Sequence, residues 1–251
     1  MNKRYHTLFE RNREQEPFIM PEFEYTVIRR LRRKTVSISV RTDDTVVIAV
    51  PARLPQKHIE RLIVSKTGWI RSRLRFNEEV RQRYRPKEYV SGEAFAYLGR
   101  NYRLKVVGGK TGPASLSQGR IHVHVPPGMN DEEKTQHIIS QLTSWYQEHA
   151  LKRLREKAAR YANMLGVTPA EVDIKSYRSR WGSCHRDGRV YFNWRIIMAP
   201  HSVVDYVVVH ELCHLVHHNH SSAYWRLVAS MLPDYREAKA WLKTNGHALD
   251  V

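Results

Sequence analysis

Residues 207–220 read Val-Val-Val-His-Glu-Leu-Cys-His-Leu-Val-His-His-Asn-His, and within them His210-Glu211-Leu212-Cys213-His214 constrains the fold more tightly than any other stretch. An α-helix turns once per 3.6 residues, so His210 and His214 project from one face, a turn apart. Their imidazoles can then close on a single ion at about 2.0–2.1 Å. Val203, Val204, Tyr206, Val207, Leu212 and Leu215 extend an amphipathic helical pattern that starts near Ser202, a capping residue. Glu211 lies about 100° round the helix from His210. Its carboxylate can reach a water on the ion without being a ligand, take the proton as the water attacks, and deliver it to the leaving group. The chemistry expected is that of one Zn2+ ion, because two or three imidazoles favour zinc, and zinc acidifies water to a pKa of about 7 and polarises a carbonyl.

The third ligand is open between several residues. His220 follows His210 by ten residues, past an expected helix end at Asn219, and is favoured if the chain turns back there. His217 and His218 compete, although a continuous helix would carry His218 two turns from His210. Asp234 and Glu237 belong to an alternative in which a later helix supplies a carboxylate. Cys213 faces away from the histidine pair and reads as core. Cys184 reads as structural rather than as a ligand.

The rest of the chain gives an α+β fold. Residues 1–22 read as a flexible N-terminal tail. Stretches 25–31, 35–40 and 45–50 are strand-like, with 35–40 alternating polar and apolar, and suggest a β-hairpin or meander. A helix is expected over 56–83, then β structure over 94–107 with a turn at Gly99-Arg100-Asn101, and a strand over 121–125. His122 and His124 share one face of that strand and read as solvated rather than as a metal pair. A long helix spans 131–165, capped by Asn130 with Glu133 and ended by Gly166. Strands follow over 172–177 and 189–194, with Asp187-Gly188 as a hairpin turn, and helices over 201–247. The expected domains are a β-rich N-terminal lobe with a long helix, 23–127, and a catalytic lobe, 128–250, with the histidine helix and a small antiparallel sheet.

The 251 residues are 41% hydrophobic with 6 Trp and 13 Tyr, enough for a core, and the net charge of +17 makes the surface attractive to polyanions such as nucleic acid. Two cysteines form no disulfide framework, the N-terminus lacks a secretory apolar region, and no run reaches 18 apolar residues. A cytoplasmic protein without membrane insertion is expected.

Val207 to Leu215, Asn219-His220-Ser221, Tyr224-Trp225 and Pro233-Asp234-Tyr235 together resemble the YgjP-like metallopeptidase family. Ser179 to Cys184, Phe192-Asn193-Trp194-Arg195 and Ala199-Pro200 fit it too. Weaker matches lie at Arg29 to Lys34, Trp69-Ile70, Leu98-Gly99-Arg100 and Tyr102-Arg103-Leu104, so the resemblance spans about residues 24–246. It implies a zincin-like catalytic unit acting on a peptide or protein substrate, with His210, His214 and His220 as ligands and Glu211 as base. The layout is also similar to SprT-like proteases. The metzincin spacing matches as well, but His217 stands where those proteins have Gly. By analogy with zincins, 189–194 is the expected edge strand for an extended substrate. Arg180, Asn193 and Tyr224 are candidates for substrate binding, while Trp181, Trp194 and Trp225 read as core. Two other functions stay in view. One is a metal-dependent nucleotide or phosphoanhydride hydrolase, although Gly108-Gly109-Lys110-Thr111-Gly112 lacks phosphate-loop spacing. The other is a nucleic-acid-associated protease or binding protein, from the basic runs at 29–34 and 71–87.

Overall fold

Apolar side chains gather into two separate clusters, and the chain divides accordingly into two compact units, Met1–Arg85 and Pro86–Val251. The computed structural model describes residues 23–41, 43–83, 87–109 and 111–251. The tail expected over 1–22 lies outside these, as does part of the basic run at 71–87.

In the first unit, β1 (Tyr25–Arg30), β2 (Ser37–Val40) and β3 (Val46–Pro51) precede α1 (Gln56–Arg83). Asp44, at φ 64°, lets β2 and β3 form an antiparallel hairpin with Val40 opposite Val46. β1 joins the other side of β3 in parallel, so the sheet is mixed and not a meander. The central β3 is apolar at five consecutive positions because both its edges are paired. Its Ile48 and Val50 pack with Ile59 and Ile63 of α1. Asn77, near the far end of α1, donates to the Arg41 carbonyl and to Asp44 Oδ1, tying the helix to the hairpin turn.

The second unit starts with β4 (Ala94–Tyr97), β5 (Arg100–Gly108), β6 (Ser115–Ser117) and β7 (Arg120–Val125), ordered β4-β5-β7-β6 with β5 and β7 parallel. α2 (Asp131–Leu165) follows, with a reciprocal cap: Asn130 Oδ1 accepts from the Glu133 amide at 3.0 Å, and Glu133 Oε2 accepts from the Asn130 amide at 2.9 Å. Gly166 ends it in the left-handed region at φ 67°. A second sheet holds β8 (Glu171–Lys175), β9 (Gly182–Cys184) and β10 (Arg189–Asn193). A 3-10 turn, Trp194–Met198, then leads into α3 (His201–Cys213), α4 (Ser222–Met231) and α5 (Tyr235–Asn245).

The units divide at Arg85/Pro86 and not at the expected 127/128, for a physical reason. The buried face of β4–β7, including Phe95, Leu104, Ile121 and Val123, shares one core with Ile138, Leu142 and Tyr146 of α2. The β4–β5 turn also docks directly before α3. The Leu98 amide donates to the Ile197 carbonyl at 2.8 Å, and a Cβ on Gly99 would lie 2.9 Å from Pro200 Cα.

Two further expectations are corrected. The second sheet is mixed rather than antiparallel, since β10 pairs parallel with β8 and antiparallel with β9. β10 is therefore the central strand, with Val190 and Phe192 fully buried, and the edge strand beside α3 is the short β9. Nor does the histidine helix run to Asn219. It starts after Pro200 with no side-chain cap and ends at Cys213, where the Val216 and His217 amides both turn back to the Cys213 carbonyl. Among the described residues, no helix is long and apolar enough to cross a membrane.

Candidate metal centre

α3 is buried around most of its girth, as its Val-Val-Asp-Tyr-Val-Val-Val sequence requires. Its one charge in that run, Asp205, is matched by Lys157 of α2 at 2.6 Å, both largely buried, and by Arg160 at 3.4 Å. This fixes α3 against α2, with its C-terminal turn carrying His210, Glu211 and His214.

The turns after Cys213 reverse the chain, and Ser221 caps α4 by accepting from the Tyr224 amide at 3.3 Å. His220, immediately before that cap, is thereby returned to the face of α3. Its ring lies 5.0 Å from that of His210 and 4.7 Å from that of His214. The Nε2 atoms of His220 and His210 are 3.2 Å apart, and one ring nitrogen from each of the three histidines falls within 4.8 Å of the others. Among the described residues, this is the one group of three or more potential ligands so placed. His217, His218, Asp234, Glu237, Cys184 and the His122–His124 pair do not join such a group.

The ring chemistry fits a cation. Burial, then the neighbouring His214 and His220 rings and Lys239, lower the His210 pKa to about 3, and burial lowers that of His214. Both are held as neutral imidazoles, the form that ligates. His214 Nδ1 pairs with the His217 carbonyl at 3.1 Å, which directs the lone pair to Nε2. So His217 contributes its carbonyl and not its ring. His210 Nδ1 is buried without a hydrogen-bond partner, and that ring is oriented by packing against Tyr206 and Tyr224.

Glu211 points to the other side, towards β9, and is 6% exposed. The carboxylate fits only because residue 182 has no side chain: a Cβ there would lie 2.5 Å from Glu211 Cγ and 2.7 Å from Oε1. The carboxylate accepts from the Cys184 amide and feels the positive charge of Arg180, but burial outweighs both and pushes its pKa up to about 8. Cys184 is half-buried, with its thiol raised to about 11 by the same loss of solvent.

Of the three substrate-binding candidates, only Arg180 has a free side-chain position at the surface, 5.7 Å from the Tyr177 ring. Asn193 is buried. Its amide donates to the Tyr177 and Arg180 carbonyls at 3.0 and 3.3 Å, and its oxygen accepts from the Arg195 amide at 3.3 Å, so it holds the 177–181 loop. Tyr224 is fully buried. Its hydroxyl donates to the His210 carbonyl at 2.9 Å while its ring stacks on His214 at 4.7 Å. That carbonyl lies in the last turn of α3, where the His214 amide bonds to the Glu211 carbonyl at 3.2 Å. Trp194 is core, as expected, but Trp225 is half-buried and lies 5.5 Å from the His220 ring, nearly parallel to it. Gly182 was not singled out from the sequence, although a glycine inside a strand is a signal of close approach.

A family model described as the YgjP-like metallopeptidase domain matches residues 34–245. The crystal structure of the metallopeptidase zymogen of Pyrococcus abyssi abylysin is similar at 21% identity and a TM-score of 0.34, over 36% of this chain and 92% of its own. No curated protein matches the chain. The family match extends across both compact units and takes in all three converging histidines and Glu211, and the chain belongs to the YgjP-like metallopeptidase family.

Proposed function

We propose that the chain is a zinc-dependent peptidase, with His210, His214 and His220 holding one Zn2+ ion and Glu211 acting as general base in a zincin-like unit. The observation that carries this reading is the convergence of three imidazoles with a buried carboxylate beside them and outside their cluster. Membership of a metallopeptidase family implies a divalent metal and a peptide substrate. Three nitrogen donors suit zinc among such metals and leave a fourth tetrahedral position for water or substrate. When bound, the ion acidifies water and polarises a carbonyl.

Glu211, which the charge of a bound ion would keep ionised against the effect of burial, then takes the proton at a carboxylate oxygen as the water oxygen bonds to the carbonyl carbon. It returns that proton to the amide nitrogen as the C–N bond breaks. The Cys184 amide and the absent side chain at Gly182 orient the carboxylate for both transfers. Arg180, exposed and close enough to influence Glu211, is suited to the substrate carbonyl. β9 is the strand available to an extended substrate, since among the described residues no strand pairs with its outer edge. The family favours a peptide bond over a phosphoanhydride as the bond attacked. Exposed Arg30, Arg32, Lys34, Arg61 and Lys66 of the first unit are the groups on which a nucleic-acid partner would dock.

The test compares wild type with Glu211→Gln for zinc content and for cleavage of a proteome-derived peptide library. Both proteins should hold one zinc, and the variant should cleave about 10²- to 10⁴-fold more slowly. Undiminished cleavage by the zinc-loaded variant would remove Glu211 from its role. Pyrophosphate release from nucleotides without peptide cleavage would move the reaction to phosphorus.

A further inference from the structure

We propose that Lys239, braced over the indole of Trp225, forms a carboxylate-recognition subsite at the rim of the histidine cluster, selecting peptides with an acidic side chain or a free C-terminal carboxylate near the bond attacked. The inference rests on the peptidase reading above.

Trp225 is the wall between the cluster and α5. Its ring lies 5.5 Å from His220 and 5.9 Å from His210. Tyr235 stacks on it at 5.4 Å, within 18° of parallel, so the indole is held in one orientation. Lys239 Nζ sits 4.2 Å from the centre of that ring. The contact positions the ammonium without using its N–H donors, which stay available to an anion.

Lys239 differs from several other lysines of its unit. Lys87, Lys134 and Lys157 each have a carboxylate within 4.0 Å; Lys239, among the described residues, has none, as is also true of Lys105, Lys152, Lys175 and Lys243, and of these it is the one braced on a ring that lies against the histidine cluster. The sequence offers Asp234 and Glu237 close by, yet neither pairs with it. An exposed ammonium fixed over the Trp225 ring, whose neighbours include His220 of the cluster, makes this rim attractive to anions, and a peptide carries its anions as carboxylates.

The test measures binding, so that it does not depend on turnover. Full-length, zinc-loaded Glu211→Gln protein is titrated with three fluorescein-labelled hexapeptides. One has a central glutamate and an amidated C-terminus, one has a free C-terminal carboxylate and no acidic side chain, and one is neutral and amidated. The expected result is about fivefold tighter binding of one or both carboxylate peptides than of the neutral one, and which of them gains identifies the source. Adding Lys239→Gln should abolish the preference and Lys239→Glu should reverse it. Lys243→Gln, which removes the same charge one turn further along α5, should leave it. Equal binding of all three peptides, a preference that survives Lys239→Gln, or one lost equally in Lys243→Gln would overturn the subsite. Cleavage by wild type is measured in parallel and bears only on the peptidase reading.

Discussion

At the residue scale the least conspicuous position in the site is Gly182. Its backbone is not in the left-handed region, so the requirement for glycine is purely steric. Glu211 Cγ is buried and cannot swing aside as an exposed lysine would, and a methyl group 2.5 Å from it must displace the carboxylate. Misplacing a reacting group by about 1 Å can cost about 10²-fold in rate. On the proposed reading, Gly182→Ala should therefore lower kcat/KM by about that factor while zinc content stays the same, because the atoms nearest an added Cβ belong to Glu211 and not to the proposed ligands. Wild-type kinetics in the alanine variant would show that the carboxylate has room to spare. The contrast between Gly182 and the histidine helix explains what could be read from sequence. His210, Glu211 and His214 are placed by spacing along one helix and its C-cap, which is local. The role of Gly182 arises where a strand passes a helix 29 residues away in the chain, and no local pattern encodes that approach.

At the scale of elements, the ends of α2 were fully legible and those of α3 were not. Asn130, Glu133 and Gly166 are local chemistry, and they begin and end α2 where that chemistry dictates. α3 stops six residues before Asn219, because its last carbonyls are satisfied by the tightening turns after Cys213 and by Tyr224, a residue of the next helix. Strand order was equally hidden. Val190 to Asn193 look the same from sequence whether β10 is flanked on one side or two, and the short β9 has no periodicity to detect. The bond from Tyr224 to the His210 carbonyl makes α4 a brace for the end of α3. Tyr224→Phe removes that bond and should cost about 1–2 kcal/mol of stability in thermal melts. Zinc affinity, read by chelator competition, should fall about tenfold, as loss of a group supporting a ligand does. Rate at saturating zinc separates this from the substrate-binding role that the sequence suggests for Tyr224, in which its hydroxyl would donate to the substrate oxygen. An oxyanion donor would cost about 10²–10³-fold in kcat, and a buried brace should cost far less.

For the molecule as a whole, the question is whether one cooperative structure supports the site or two. The double proline at Pro126-Pro127 looks like a boundary in the sequence, and the chain does change from strand to helix there. It is not a boundary in the core, because the helix beginning at Asp131 covers the sheet that ends at Val125. The division that matters follows α1. On its N-terminal side, Ile48, Val50, Ile59 and Ile63 form a cluster that shares no residue with the large core containing His210's supports Tyr206 and Tyr224. Every converging histidine, Glu211, Gly182 and Lys239 belong to Pro86–Val251. Removing the buried Ile63 side chain, which is 1% exposed, should cost the first unit about 2–5 kcal/mol. If the two cores are separate cooperative units, calorimetry of the whole chain shows two transitions, and Ile63→Ala lowers only one. Zinc stabilises a folded state in proportion to its binding there, so added zinc should raise the other transition and leave the Ile63-sensitive one in place. A single transition, moved by both the substitution and the metal, would mean that the first unit's core is part of what holds the histidines together.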